Sequence, residues 1–215
     1  LGLALTLATA VAGAAEPANQ LTPQEQAAGW KLLFDGTTTH GWHSFKKKTF
    51  PTKCWTVEDG WLHCTGQRGG DIVSTRRYDQ FELQWDWKLA PAGNSGLKYF
   101  VLDSRKSALG HEYQMIDDLR ERDALRGEGK RVTAAFYDVL KPSLKTTVHP
   151  PSQINHSRVL VQGEHVEHWL NGVKVLQYEC GSPALLEAVA HSKFKDLPGF
   201  GQRAKQYAIG IDLHR

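Results

Sequence analysis

From Gln80 to Leu89 apolar and polar side chains alternate: Phe81, Leu83, Trp85, Trp87 and Leu89 share one face, with Glu82, Gln84, Asp86 and Lys88 on the other. That period of two predicts a half-buried β-strand and not a helix. Five large apolar side chains on one face predict a deep core, each worth roughly 1.5–3 kcal/mol when fully buried. The same rhythm recurs from Trp30 onward in short runs separated by turn residues. Trp30–Phe34 reads as a first strand ended by Asp35-Gly36. Asp59-Gly60 predicts a tight hairpin, with Trp55, Val57, Leu62 and Cys64 on its apolar face. Further strands are predicted over Leu97–Leu102, around Glu112, and over Thr133–Leu140, Ser157–Gln162 and Glu164–Leu170. Asn171-Gly172 turns the chain into another at Val173–Tyr178, and Tyr207–Leu213 is the last. Residues 119–131 and 142–151 read as surface loops. One short helix is predicted, with Ser182 as N-cap, Pro183 in its first position and Leu185, Leu186 and Val189 as its buried stripe, fading near His191. Many short strands punctuated by turns imply an all-β sandwich.

A length of 215 residues suits one such domain. The formal charge is +3 and Lys46-Lys47-Lys48 is the only lysine run. No basic stripe interleaved with aromatics is present, which argues against nucleic acid as a partner. Leu1–Ala15 is uncharged and small or apolar, and Ala12-Gly13-Ala14 precedes the polar Glu16-Pro17. This is the apolar region and cleavage site of a secretory signal, too short to span a bilayer and clipped at its start, since it opens on Leu without a charged segment. The expectation is an exported protein, periplasmic or secreted, with a polar tether over 16–29 and a single domain over 30–215. Three cysteines allow at most one internal disulfide. A two-residue hairpin turn points Cys54 away from Cys64, so no bridge is predicted there, although export would permit one.

The chemistry concentrates in Glu112-Tyr113-Gln114-Met115-Ile116-Asp117. Glu112 and Gln114 share a face of the predicted strand, whereas Asp117 has the wrong parity to join them. An extra residue in a β-bulge would bring both acids to one side, the setting of a cleft floor. An edge strand with its acids paired to nearby Arg and Lys is the plainer alternative. His165 and His168 lie three apart, on opposite faces of a strand, and do not chelate one ion together. His111-Glu112 lacks the second histidine of a helical zinc site. A divalent cation held by carboxylates from different strands stays open. No Gly-x-Ser-x-Gly elbow occurs, and Gly66–Gly70 is not followed by a helix, so a phosphate loop is not indicated. Of seven tryptophans, Trp42, Trp61 and Trp169 are the candidates for an exposed sugar-stacking surface. Lys193 either neutralises a developing oxyanion or sits at the negative end of the predicted helix.

Leu33-Phe34-Asp35-Gly36 with Gly41-Trp42, then Trp55–Gly60, Gly93-Asn94-Ser95-Gly96 and Glu112–Asp117 stand in order along the chain. Ala135-Phe136-Tyr137, His168–Gly172 and Ser192-Lys193-Phe194 follow. Together this set resembles the 3-keto-disaccharide hydrolase family, over about Trp30 to Gly201. The resemblance implies a concanavalin A-like jelly roll of two antiparallel sheets with a concave carbohydrate-binding face. It implies exported bacterial enzymes cleaving glycosides whose C3 hydroxyl is oxidised to a ketone, by hydrolysis or by β-elimination across C1–C2. The Glu112–Asp117 strand is also similar to the Glu-x-Asp-x-x-Glu strand of laminarinase-like glucanases, with Gln114 in place of the middle acid. Carried onto this chain, Glu112 and Asp117 are base and acid in either order. Lys193, or a bound cation, faces the enolate, while Asn94, Gln114, Tyr137 and His168 orient sugar hydroxyls. Ile154-Asn155 replaces a family Trp-Asn, and the sequence stops after Ile209–Arg215, which predicts a domain short of its last strand. The rivals are a two-carboxylate glycosidase on unoxidised glucans and a noncatalytic carbohydrate-binding domain.

Overall fold

The structure is a computed structural model that describes residues 19–66, 70–143 and 147–213; the expected leader, and residues 16–18 of the expected tether, lie outside them. The described chain forms two compact units, one of residues 19–40 with Val57–His63, the other of Gly41–Thr56 with Cys64 onward.

In the first unit, Pro23–Ala27 forms a helix (α1) inside the expected tether. Thr22 and Glu25 close a reciprocal capping box at its start. Trp30–Phe34, expected as a strand, is irregular. The Asp59-Gly60 turn forms as expected between β2 (Trp55–Glu58) and β3 (Trp61–Cys64), with φ of 50° and 77° at its two central residues. Such a pair of positive angles matches the twist of a two-residue hairpin. Cys54, Cys64 and Cys180 are all free thiols.

The second unit is an antiparallel sandwich. One sheet has the order β1 (Trp42–Ser44), β4 (Ile72–Ser74), β11 (Ala208–Leu213), β6 (Asn94–Val101), β7 (His111–Ile116). The other runs β10 (Val173–Glu179), β9 (His165–Leu170), β8 (Asn155–Gln162), β5 (Phe81–Trp87). The alternation along β5 is real, yet β5 is an edge strand, and only Trp87 among its apolar side chains is fully buried. The last strand, β11, is interior, bonded to β4 on one side and β6 on the other. The C-terminal helix, α2 (Pro183–Ala190), begins at the expected Ser182 cap and buries Leu185 and Val189. No helix among the described residues is long and apolar enough to cross a membrane.

Aromatic rings dominate the core: Tyr99, Tyr113, Tyr207, Phe100 and Phe136 are all essentially inaccessible. Buried hydroxyls need partners, and here they bond across the gap between sheets. Tyr113 on β7 reaches Ser157 on β8 at 2.7 Å, and Tyr99 on β6 reaches His168 on β9 at 2.6 Å. The second bond begins a directed chain. His168 donates through Nδ1 to the Ala134 carbonyl at 2.9 Å, so in its neutral form Nε2 accepts from Tyr99. The Tyr99 oxygen then accepts from Tyr178 (2.7 Å), and the Tyr178 oxygen from Nδ1 of His111 (2.8 Å).

Candidate active site

The strands β6 and β7 pair residue for residue from Asn94–Ile116 to Tyr99–His111. The bulge expected between Glu112 and Asp117 is therefore absent. His111, Tyr113 and Met115 face the core, and Glu112 and Gln114 face outward. A bulge occurs one strand away: Lys98 pairs with Gly210 and Val101 with Ala208, so Tyr99 and Phe100 together oppose Ile209. Phe100 takes φ 58° there, and both rings enter the core. The extra residue resets the parity of β6. Val101 consequently joins Val73, Ala108 and Ala208 in an apolar patch, with Phe45 packed against it.

Without a bulge in β7, Asp117 does not reach Glu112's side. Its carboxylate, 2% exposed, accepts from the Ala92 amide at 2.9 Å, from the Leu119 amide at 3.2 Å and from Arg120 at 3.2 Å. Burial alone would raise its pKa, and these donors outweigh that and lower it. Its oxygens tie the turn after β7 to the one before β6.

On the outward face, Glu112 is 4% exposed. It leans across β6: a Cβ placed on Gly96 would stand 2.2 Å from Glu112 Oε1. With its amide turned, Gln114 donates to Glu112 Oε1 and to the Ser95 carbonyl, both at 3.1 Å, and its oxygen lies 3.1 Å from Asn94 Oδ1, a hydrogen bond only when the Asn94 amide is turned too. Directly opposite Glu112 in register stands Lys98, whose ammonium bonds Asp71 at 3.0 Å with both side chains largely buried.

The other flank is Thr133–Leu140, expected as a strand. It bonds β7's free edge through Ala134 N to Gln114 O (2.8 Å) and Tyr137 N to Glu112 O (3.0 Å). Positive φ at Ala134 and Asp138 prevents a regular ladder. Tyr137 donates its hydroxyl proton to Asp123 (2.6 Å). Arg131 bridges Asp123 (2.7 Å) and Asp138 (2.6 Å), and Asp138 accepts from the Lys193 backbone amide at 2.7 Å. Burial pushes the Tyr137 hydroxyl up, and Asp123 and Glu112 push it further. The Lys193 side chain leaves the end of α2 and sets its ammonium 3.9 Å from the Tyr137 ring centroid. Lys193 is exposed as a whole residue, yet desolvation lowers its pKa. Glu112 and Asp138 oppose that shift, and Arg131 and Lys98 add to it.

Glu112, Gln114, Asn94, Tyr137 and Lys193 thus come together. His168 stands apart from them, in the interior, with both ring nitrogens bonded, because His165, Glu167 and Trp169 take the outward positions of β9. Trp169 is half-buried, with Arg158 stacked 4.7 Å over it on the far sheet. Among the described residues no three His, Cys, Asp or Glu side chains gather as a metal site, and Glu112 is flanked by lysines. Sequence reasoning missed Lys98, Asp71, Asp123, Arg131 and Asp138. A signal existed for Lys98, a lone charge within the otherwise apolar run Leu97–Val101.

Known proteins resemble this chain in sequence and in fold. A family described as the 3-keto-alpha-glucoside-1,2-lyase-like domain matches residues 29–215. A 3-keto-disaccharide hydrolase of Bacteroides thetaiotaomicron is 30% identical over 189 residues, covering 78% of this chain and 64% of that protein. The chain therefore spans just under two thirds of that relative. A crystal structure from Parabacteroides distasonis, solved as a candidate glycosyl hydrolase, superposes with a TM-score of 0.79 at 33% identity, covering 91% of this chain and 93% of the other. A second from the same organism, at 23% identity and TM-score 0.64, covers 80% and 90% and shares the fold. Matched over nearly its whole described length, the chain belongs to the 3-keto-alpha-glucoside-1,2-lyase-like family.

Proposed function

We propose that this chain is an exported enzyme that cleaves glycosides of 3-keto sugars, with Glu112 as the base. One observation carries the reading: a nearly inaccessible carboxylate on the outward face of the sheet, with an ammonium in register beside it and a second one near. The ketone at C3 acidifies the C2 proton. Glu112 takes that proton, and the C2–H electron pair moves to the C3 oxygen as an enolate. The enolate collapses, the C1–O bond breaks and the leaving oxygen takes up the proton that Glu112 has just accepted, which restores the carboxylate. Water then adds across C1–C2 to complete hydrolysis; without that step the reaction is a lyase. Lys193 supplies positive charge to the enolate. Asn94 and Gln114 orient hydroxyls. Tyr137, its hydroxyl hydrogen engaged in the bond to Asp123, accepts a hydrogen bond from one. Glu112 is 4% open, so the sugar reaches it by displacing a neighbour, and Lys193 is the exposed member of the group.

Two-carboxylate hydrolysis of an unoxidised glucan has less support, because Asp117 is committed to Ala92, Leu119 and Arg120. The test is aglycone release from a 3-keto-glucoside and from its matched glucoside. Wild type is expected to turn over the first and not the second. Glu112→Gln is expected to lose about 10²–10⁴-fold in kcat with unchanged circular dichroism. Turnover retained by that variant rules out the assigned role, and sugar binding without product from either substrate favours a noncatalytic module.

A further inference from the structure

One guanidinium lies between two carboxylates beside Tyr137 and Lys193. Arg131 donates through Nε to Asp138 Oδ1 at 2.6 Å and through Nη1 to Asp123 Oδ1 at 2.7 Å. Each carboxylate gives its second oxygen to a residue of the candidate site. Asp123 Oδ2 accepts the Tyr137 hydroxyl at 2.6 Å, and Asp138 Oδ2 accepts the Lys193 backbone amide at 2.7 Å. The two arms then close on each other, since the Lys193 ammonium stands 3.9 Å from the Tyr137 ring centroid. Lys193 lies 55 positions from Asp138, so no local rule brings it there. Asp138 is held at φ 63°, a left-handed conformation that costs any residue but glycine. Such a cost persists where surrounding bonds over-determine the residue, and functional sites are where it collects. A fastening for the 119–131 loop alone has no need of Lys193.

We propose that Arg131 is a positioning residue: by gripping Asp123 and Asp138 at once, its guanidinium keeps the Tyr137 ring and the Lys193 ammonium stacked at the candidate site. The kinetic part rests on the 3-keto-glycoside reading; the geometric part does not. A planar guanidinium presents its donors in a rigid frame and holds two carboxylates at fixed angles, which a point charge on a flexible stem does not. Charge balances within the group, two negatives on Asp123 and Asp138 against two positives on Arg131 and Lys193. Without Arg131, two largely enclosed carboxylates compete for one ammonium. Lys193 is then drawn off the ring toward Asp123 or Asp138, away from the place where it meets the enolate.

Stacking supplies a direct readout, because methylene protons above an aromatic ring resonate upfield of their ordinary position. In NMR spectra the Lys193 ε-methylene is assigned by its loss in Lys193→Met, and in wild type it is expected upfield. Arg131→Ala should move it back toward an unstacked lysine, and added guanidinium ion, well below denaturing concentration, should return it upfield. With a 3-keto-glucoside, Arg131→Ala is expected to lose about 10²-fold in kcat/KM, most of it in kcat. Guanidinium chloride should restore turnover and sodium chloride should not. A residue that only stabilised the fold would give a variant that guanidinium weakens further. An ordinary Lys193 position in wild type, an unmoved one in Arg131→Ala, or kinetics that guanidinium does not rescue overturns the proposal. If wild type does not turn over the 3-keto-glucoside, the functional reading falls and the Lys193 resonance still decides the role of Arg131. If Arg131→Ala does not fold, Asp138→Asn decides. Asparagine tolerates the positive φ but offers one acceptor oxygen to two donors, so an unmoved Lys193 resonance there overturns the proposal.

Discussion

Gly96 shows how one missing side chain builds the site. Its backbone is extended, not left-handed, so alanine there is conformationally acceptable and, in a strand, better by roughly 0.5–1 kcal/mol. The obstacle is Glu112 Oε1, 2.2 Å from the new Cβ, at the movable end of a flexible side chain. Gly96→Ala is therefore expected to fold with a thermal midpoint within a few degrees of wild type, and to lose about tenfold or more in kcat as the carboxylate is pushed aside. An alanine variant as active as wild type refutes the requirement for that placement. At this scale the motifs were informative: Asn94, Gln114, Glu112, Tyr137 and Lys193 were all legible and are gathered by the fold. Lys98 was overlooked because Asp71, its partner, lies 27 positions away. Asp117 was misjudged because two of its three partners are backbone amides, which no sequence pattern names.

Elements governed by local rules were the most legible. The Asn171-Gly172 and Asp59-Gly60 turns and the Ser182 cap depend on residues a few positions apart, and each lies where the sequence put it. Trp30–Phe34 and Thr133–Leu140 looked like strands by side-chain pattern, yet a strand also needs a regular extended backbone, and patterning does not report one. The bulge was expected in β7, where two acids required it, and lies in β6, where two aromatic rings enter the core. Asp117 accordingly acts on elements, fastening the turn after β7 to the turn before β6. Asp117→Asn is expected to lower unfolding free energy by roughly 1–3 kcal/mol, since hydrogen bonds to a charged group are lost. Its kcat on a 3-keto-glucoside should fall far less than that of Glu112→Gln. A loss as large as the Glu112 variant's would return Asp117 to proton transfer.

For the molecule as a whole, the buried chain from Ala134 through His168, Tyr99 and Tyr178 to His111 sets an acid limit. Burial lowers the His168 pKa from 6.5 to about 4, and His111 is shifted down by burial as well, with Arg105 adding to the shift. The folded state holds both neutral, while the unfolded chain takes up protons below its ordinary histidine value. The contribution of His168 is thus complete above about pH 6.5 and drains away as pH falls toward 4, a loss on the order of 3 kcal/mol. Denaturant midpoints measured between pH 7.5 and 4 should fall more steeply for wild type than for His168→Gln; parallel curves refute this. The sandwich class was readable from alternation and turns. The sheet order was not, because it depends on which distant strands meet, and nothing local marks β11 as an interior strand.

That interior place has a consequence for synthesis. Until the ribosome has made residues 208–213, the larger sheet exists only as two ribbons, β1 with β4 and β6 with β7, joined by no hydrogen-bonded ladder. The β6 ribbon, which carries Lys98, waits with an open edge that a neighbouring nascent chain can occupy. Productive folding of this half of the sandwich therefore waits until residues 208–213 have been translated.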